Sequence, residues 1–178
     1  MQYLSLSDSK YAQIEDVILK SFPKACILWI EKNENTTLEQ LFIEYSLKFP
    51  NPRIQQLYHG TSEDIARLIM KEGFDPSKNK SSFYGNGVYF SPFANVSQWY
   101  SKKSQDDISF FLVCDVVVGK SCVGLLNQDI PSDYQSAVNN LIKPTEIVVN
   151  KKEAAFPRYL VAFYRDANTG YGSSSITK

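Results

Sequence analysis

The chain has 178 residues, 43% of them hydrophobic, and its 19 lysines and arginines balance 19 aspartates and glutamates. That length suits one domain able to bury a core unaided by disulfides or metal. A formal net charge of zero removes the electrostatic excess that drives nonspecific binding to phosphate backbones, so nucleic acid is not an expected partner.

Residues 8 to 21, DSKYAQIEDVILKS, space Tyr11, Ile14, Val17 and Ile18 at three- and four-residue intervals, with Ser21 continuing the stripe. This predicts an amphipathic helix capped by Asp8 or Ser9. ACILWIEK reads as a strand, and TLEQLFIEYSLKF as a second helix that PNPR stops, because proline lacks an amide donor and restricts the residue before it. IQQLYHGTS is a strand running into a glycine turn, followed by SEDIARLIMKEGF, a helix expected to be capped by Ser62 and ended by Gly73. DPSKNKSS is a polar loop. ISFFLVCDVVVG is a strongly apolar strand, residues 119 to 144 read as loop, and TEIVVN and RYLVAFYRD are strands on either side of a turn, KKEAAFP. The remainder, ANTGYGSSSITK, has the composition of a flexible tail. Five or so strands with helices gathered early indicate an α+β fold.

Three dispersed cysteines and one histidine argue against a disulfide framework and against a Cys/His zinc site, so no metal is expected. The sequence holds no apolar run near the roughly 18 residues a bilayer crossing needs, and its first residues, MQYLSLSDSKYAQ, lack a secretory leader. A soluble intracellular protein without a membrane partner is expected, in cytoplasm or nucleus.

Chemistry can be carried at a few places. His59 stands where a strand breaks at Gly60; a lone histidine there is commonly a packed residue, yet HGT also presents a ring, a bare peptide and the Thr61 hydroxyl together. YGNGVYF is a glycine turn leading to Tyr89, which is either a core residue or a cleft wall, and no GxGxxG follows a strand to make a dinucleotide fingerprint. Just beyond, Ser97 and Tyr100 lie three apart on one face of a short helix, a hydroxyl beside an aromatic ring. That pairing suits a flat ligand bearing an amide. Glu146 heads an apolar strand, where an acid is often only solvated; Glu153 nearby sits in a charged turn.

Taken together, LYHGT, YGNGVYF followed by VSQWY, and TEIVVNKKEAAFPRYLV resemble, in order and separation, the catalytic domain of the poly(ADP-ribose) polymerase family, the diphtheria-toxin-like ADP-ribosyltransferases. The resemblance runs from about residue 55 to 165, with residues 11 to 50 more faintly like the lead-in of members that lack the helical regulatory subdomain. It implies two packed, mostly antiparallel sheets around an NAD cleft with flanking helices, as one catalytic domain over residues 1–166, with 1–50 as lead-in and 167–178 as tail.

It also implies a His-Tyr-Glu triad of His59, Tyr89 and Glu146, with NAD as substrate. Gly60 and Ser97 would hold the nicotinamide carboxamide, Tyr100 and Tyr89 would flank the ring, and His59 and Thr61 would bond ribose hydroxyls. DPSKNKSSFYGN would lie over the donor. The implied activity is cleavage of the nicotinamide-ribose bond and transfer of ADP-ribose to an acceptor protein, the enzyme itself included, by a monomer. A complete triad leaves elongation to poly(ADP-ribose) open and tilts the reading slightly toward it. Transfer of single units, hydrolysis of NAD and a silent NAD- or ADP-ribose-binding scaffold stand as alternatives.

Overall fold

The computed structural model describes residues 2–79, 83–104 and 106–165. Among them run nine strands: β1 (Gln2–Tyr3), β2 (Cys26–Lys32), β3 (Ile54–Thr61), β4 (Val88–Phe90), β5 (Ser109–Val117), β6 (Ser121–Val123), β7 (Ser136–Val138), β8 (Ile147–Val149) and β9 (Ala155–Tyr164). Four helices accompany them: α1 (Ser9–Ser21), α2 (Thr36–Ser46), α3 (Glu63–Glu72) and the single turn α4 (Ala94–Ser97). The strands form a five-stranded sheet in the order β1-β2-β9-β5-β3 and a four-stranded sheet in the order β4-β8-β7-β6. Every pairing is antiparallel except β6 with β7. This is the expected α+β class with two mostly antiparallel sheets.

The apolar run in β5 is explained by its two covered faces. Phe111 and Val113 meet the Tyr11, Ile14 and Ile18 stripe of α1, while Phe110, Leu112, Cys114 and Val116 join Ala66, Ile69 and Met70 of α3. Side chains alternate across a strand, so a strand between two helical layers is apolar at consecutive positions. Asp8 is the cap of α1, its carboxylate accepting from the Lys10 amide at 2.7 Å. Val17, expected on the buried stripe, is 42% exposed because it falls at the margin of the face that Tyr11, Ile14 and Ile18 define. Ser21 accepts from the Ala94 amide at 3.0 Å and so ties α1 to α4.

Several boundaries differ from expectation. Asn35 caps α2 by accepting from the Leu38 amide at 3.1 Å, and the helix ends at Ser46, before Pro50, in a series of tight backbone turns. Ser62 occupies the cap position of α3 without a side-chain cap bond; the first-turn Glu63 instead pairs with Arg67. Residues 119–144, read as loop, contain β6 and β7, each only three residues long and too short to show a period. The last strand starts at Ala155, so AFP belongs to the strand rather than to a turn. Pro157 is tolerated there because the β5–β9 register shifts between Val113 and Cys114, a bulge at which a missing amide donor costs little. Arg158 pairs with Glu39 and Asp115 across the sheet surface. The expected tail at 167–178 lies outside the described residues.

The one-turn helix α4 is seated against β3 at Gly60. A Cβ on Gly60 would lie 1.8 Å from the Ser97 carbonyl oxygen and 3.0 Å from the Ser101 hydroxyl, so this glycine is required by packing as well as by any ligand. Gly60→Ala is expected to lower stability by about 1–3 kcal/mol, the usual cost of overpacking. Urea unfolding measures this, and an unchanged midpoint would show that α4 does not hold its seat.

Candidate functional site

The two sheets meet where β3, an edge strand, passes the end of β4. Tyr58 and Ser91 exchange two backbone bonds, Tyr58 N–H to Ser91 O at 2.8 Å and Ser91 N–H to Tyr58 O at 2.9 Å. Beside this bridge opens a cleft of about 620 Å³, a size typical of sites for small organic ligands. All seven residues singled out in the sequence line it: His59, Gly60, Thr61, Tyr89, Ser97, Tyr100 and Glu146.

The bridge also orients Gly60. In an antiparallel ladder, successive residues direct their N–H and C=O to opposite sides of the strand. Tyr58 directs both outward to Ser91, so Gly60, two residues on, directs its peptide groups to the same open edge, beside the cleft. A ligand bearing a primary amide could pair with that edge as a short extra strand would. The Ser97 hydroxyl, in a residue only 3% exposed, donates to the Tyr58 carbonyl at 3.0 Å. Its proton is thereby committed, leaving a lone pair to accept. Thr61 is likewise buried.

His59 sits edge-on to Phe74, ring centroids 5.3 Å apart, and tilted against Phe90 at 5.6 Å. Its Nδ1 lies 2.8 Å from the Tyr89 carbonyl oxygen. A carbonyl can only accept, so Nδ1 carries the hydrogen and Nε2, in the neutral ring, is an acceptor. Burial lowers the imidazole pKa below its ordinary 6.5, opposed in part by the bond to Tyr89. The ring is therefore neutral at physiological pH.

Tyr89 uses its hydroxyl to pin the turn that precedes it, accepting from the Tyr84 amide and donating to the Gly85 carbonyl, each at 2.9 Å. Burial pushes its pKa up, with the Tyr84 bond acting the other way. Tyr100 is 59% exposed, and its hydroxyl donates to Glu146 Oε1 at 2.9 Å. Desolvation, then the bond to this carboxylate, pushes the Tyr100 phenol to about 12, so it remains a donor across the physiological range. The donor-loop stretch contributes Asp75, Lys78, Asn79 and Phe83 to the wall; residues 80–82 lie outside the described residues.

Three features escaped sequence reasoning. Lys78 and Lys152 line the cleft, and both act on the Asp75 carboxylate, whose pKa is lowered first by its bonds to Ser77 and further by these two charges. The signal for Lys152 was present in KKEAAFP, but a lysine in a turn is ordinarily solvated. The Tyr100–Glu146 bond joins residues 46 apart in sequence and has no local signature. The structure also places Asn139 directly against the backbone of Glu146. Among the described residues no group of three or more His, Cys, Asp or Glu is arranged to hold a metal ion, and no helix is long and apolar enough to cross a membrane.

Fold and cleft define an α+β domain with an open cleft at the junction of two sheets, and comparison with known proteins gives its family. The poly(ADP-ribose) polymerase catalytic domain matches residues 9–155, and the chain belongs to that family. It is similar to protein mono-ADP-ribosyltransferase PARP12 of Mus musculus, 27% identical over 176 residues that cover 90% of this chain and 25% of that protein. The Homo sapiens PARP12 is 25% identical over the same shares. Protein mono-ADP-ribosyltransferase PARP10 of Mus musculus is 31% identical over 122 residues, covering 62% of this chain and 13% of that protein. The chain thus spans about a quarter of the length of the PARP12 proteins it matches.

The lowered His59 pKa fixes a pH dependence. The unfolded chain takes up the proton at 6.5, before the folded one does, so stability due to neutral His59 is intact above 6.5 and is lost as pH falls below it. Thermal unfolding of the protein and of His59→Gln from about pH 7.5 to 5 should show the acid-side decline blunted in the variant. Parallel declines would show that His59 is not the titrating group.

Proposed function

We propose that this chain is an NAD-dependent protein ADP-ribosyltransferase acting as one catalytic domain over residues 1–166. The observation that carries this reading is the placement of the Glu146 carboxylate, bonded to Tyr100, in the same cleft as neutral His59 and the open peptide edge of Gly60. The nicotinamide carboxamide would pair with Gly60 and the Ser97 hydroxyl, its ring lying against Tyr100 and walled by Tyr89. His59 Nε2, an acceptor, and Thr61 would take ribose hydroxyls.

Loss of nicotinamide leaves positive charge on the ribose. Glu146 would bind the adjacent 2′-hydroxyl, stabilise that charge as it develops, and polarise the incoming acceptor nucleophile. Orientation of the reacting groups can lower the barrier by about 7–11 kcal/mol, and a cleft whose walls are locked by hydrogen bonds suits that task. NAD is a substrate in this scheme, and no step calls on a metal.

A complete triad makes elongation chemically open, but the relatives are named mono-ADP-ribosyltransferases, and this favours transfer of single units. The acceptor is a protein, the enzyme itself included, and the working form is a monomer. Cys26, Cys114 and Cys122 are free thiols, which supports a reducing setting in cytoplasm or nucleus.

Incubation with adenine-labelled NAD and acceptor protein, followed by a denaturing gel, tests the reading. A discrete labelled band that Glu146→Gln loses is expected. A high smear would mean polymer, and intact NAD without label would overturn the transferase assignment.

Lys78 and Lys152 line the cleft beside Asp75, and in this reading they would meet the donor's diphosphate. Replacing both by alanine should weaken NAD binding about tenfold, in line with the loss of charge-assisted contacts. Calorimetric titration with free nicotinamide, which has no phosphate, should be unaffected; an equal loss for both ligands would remove the lysines from that role.

A further inference from the structure

We infer that Asn139 is the positioning residue for Glu146, an assignment that rests on the transferase reading above. Glu146 stands one residue before β8, at the mouth of the loop that joins it to β7. The last ladder pair of that hairpin is Val138 with Ile147, so Asn139 and Glu146 face each other at the point where regular pairing stops. A glutamate at such a place has a backbone free to fray and three side-chain torsions, neither of which suits a group that must meet a ribose hydroxyl.

Asn139 removes the first freedom. Its Oδ1 accepts from the Glu146 amide at 3.1 Å and from the Thr145 amide at 3.0 Å. Its Nδ2 donates to the Thr145 hydroxyl at 2.7 Å, and its own amide donates to the Glu146 carbonyl at 3.2 Å. Both peptide groups of Glu146 are therefore held by one half-buried side chain and its backbone. The loop beyond is exposed, with Leu141 and Ile142 59% and 88% accessible. Among the described residues its tip is held by Asn140, whose Oδ1 accepts from the Ile142 and Lys143 amides. The anchor of Glu146 is accordingly Asn139 and not the packing of the loop.

The second freedom is limited from the opposite side. Tyr100 donates to Glu146 Oε1, so the carboxylate is suspended between a hydroxyl at its tip and the Asn139 clamp at its base. Asn139 is not among the residues that line the cleft and would not touch NAD. It acts through Glu146 alone, and its removal should alter the chemical step while leaving donor binding in place.

The test compares the protein with Asn139→Ala and Asn139→Asp, measuring amide hydrogen exchange at Thr145 and Glu146 together with kcat and KM for NAD. Aspartate keeps an acceptor for both amides, and the Thr145 hydroxyl can turn to donate to it. Asn139→Ala should exchange both amides faster and lose about 10- to 100-fold in kcat, the scale of a small misplacement of a catalytic group. KM for NAD should stay within about threefold, because only the chemical step is touched, and Asn139→Asp should recover most of the rate. Faster exchange with unchanged kcat would overturn the positioning role. A loss shared between kcat and KM, unrelieved in Asn139→Asp, would make Asn139 a structural residue and overturn it too. An unsubstituted protein that consumes no NAD would overturn the transferase reading, and the positioning role with it. That result is told apart by the silence of the parent protein.

Discussion

Two backbone hydrogen bonds between Tyr58 and Ser91 carry the rest of the site. They stitch the edge of one sheet to the end of a strand in the other, and every candidate residue is placed relative to that seam. His59, next along β3, turns its ring toward β4 and reaches the Tyr89 carbonyl. Gly60 is left with its peptide on the open edge. Ser97 anchors α4 to the Tyr58 carbonyl, and the same turn of chain delivers Tyr100 to Glu146. Because an edge peptide must find a partner or water, the seam ends where an incoming ligand can take its place.

The cleft is also ordered in charge. At one position stands an imidazole kept neutral by burial; at another, a carboxylate held by a phenol that remains protonated. Two lysines flank Asp75 on the wall. Under the proposed function, these lysines would face the donor's diphosphate and Glu146 the ribose on which positive charge arises. Such fixed dipoles and charges need no rearrangement at the moment of reaction, which is where electrostatic stabilisation is most effective.

Much of this was legible in the chain. The stripe of Tyr11, Ile14 and Ile18, the apolar run of β5 and the GNG turn each have a local cause, a period or a backbone need, and each is written in consecutive residues, whereas the break expected at Gly60 does not occur, because β3 stays paired with β5 through Thr61. That the seven candidate residues would gather in one cleft was legible because short motifs carry them in order. What was hidden has non-local causes. Strands of three residues such as β6 and β7 exist only through their neighbours. Pro157 looks like a turn until the bulge opposite Cys114 is seen. Asn139 reads as one more polar loop residue, since its meaning lies in a pairing seven positions away. Gly60 was read as room for a ligand, whereas the Ser97 carbonyl occupies the space a Cβ would need.

The order of strands in the larger sheet sets a condition on how the protein is made. The strand at its centre, β9, is the last of its five to leave the ribosome, yet it separates β2 from β5 and pairs with both. Until residues 155–164 emerge, the sheet is two unconnected halves, and β5 offers a row of apolar side chains and unpaired peptide groups on the side β9 will fill. An exposed strand of that kind is a template for other chains. Synthesis of this domain therefore passes through a stage in which its most apolar segment is available for misassembly, and nascent chains arrested before residue 155 would be clients for chaperones.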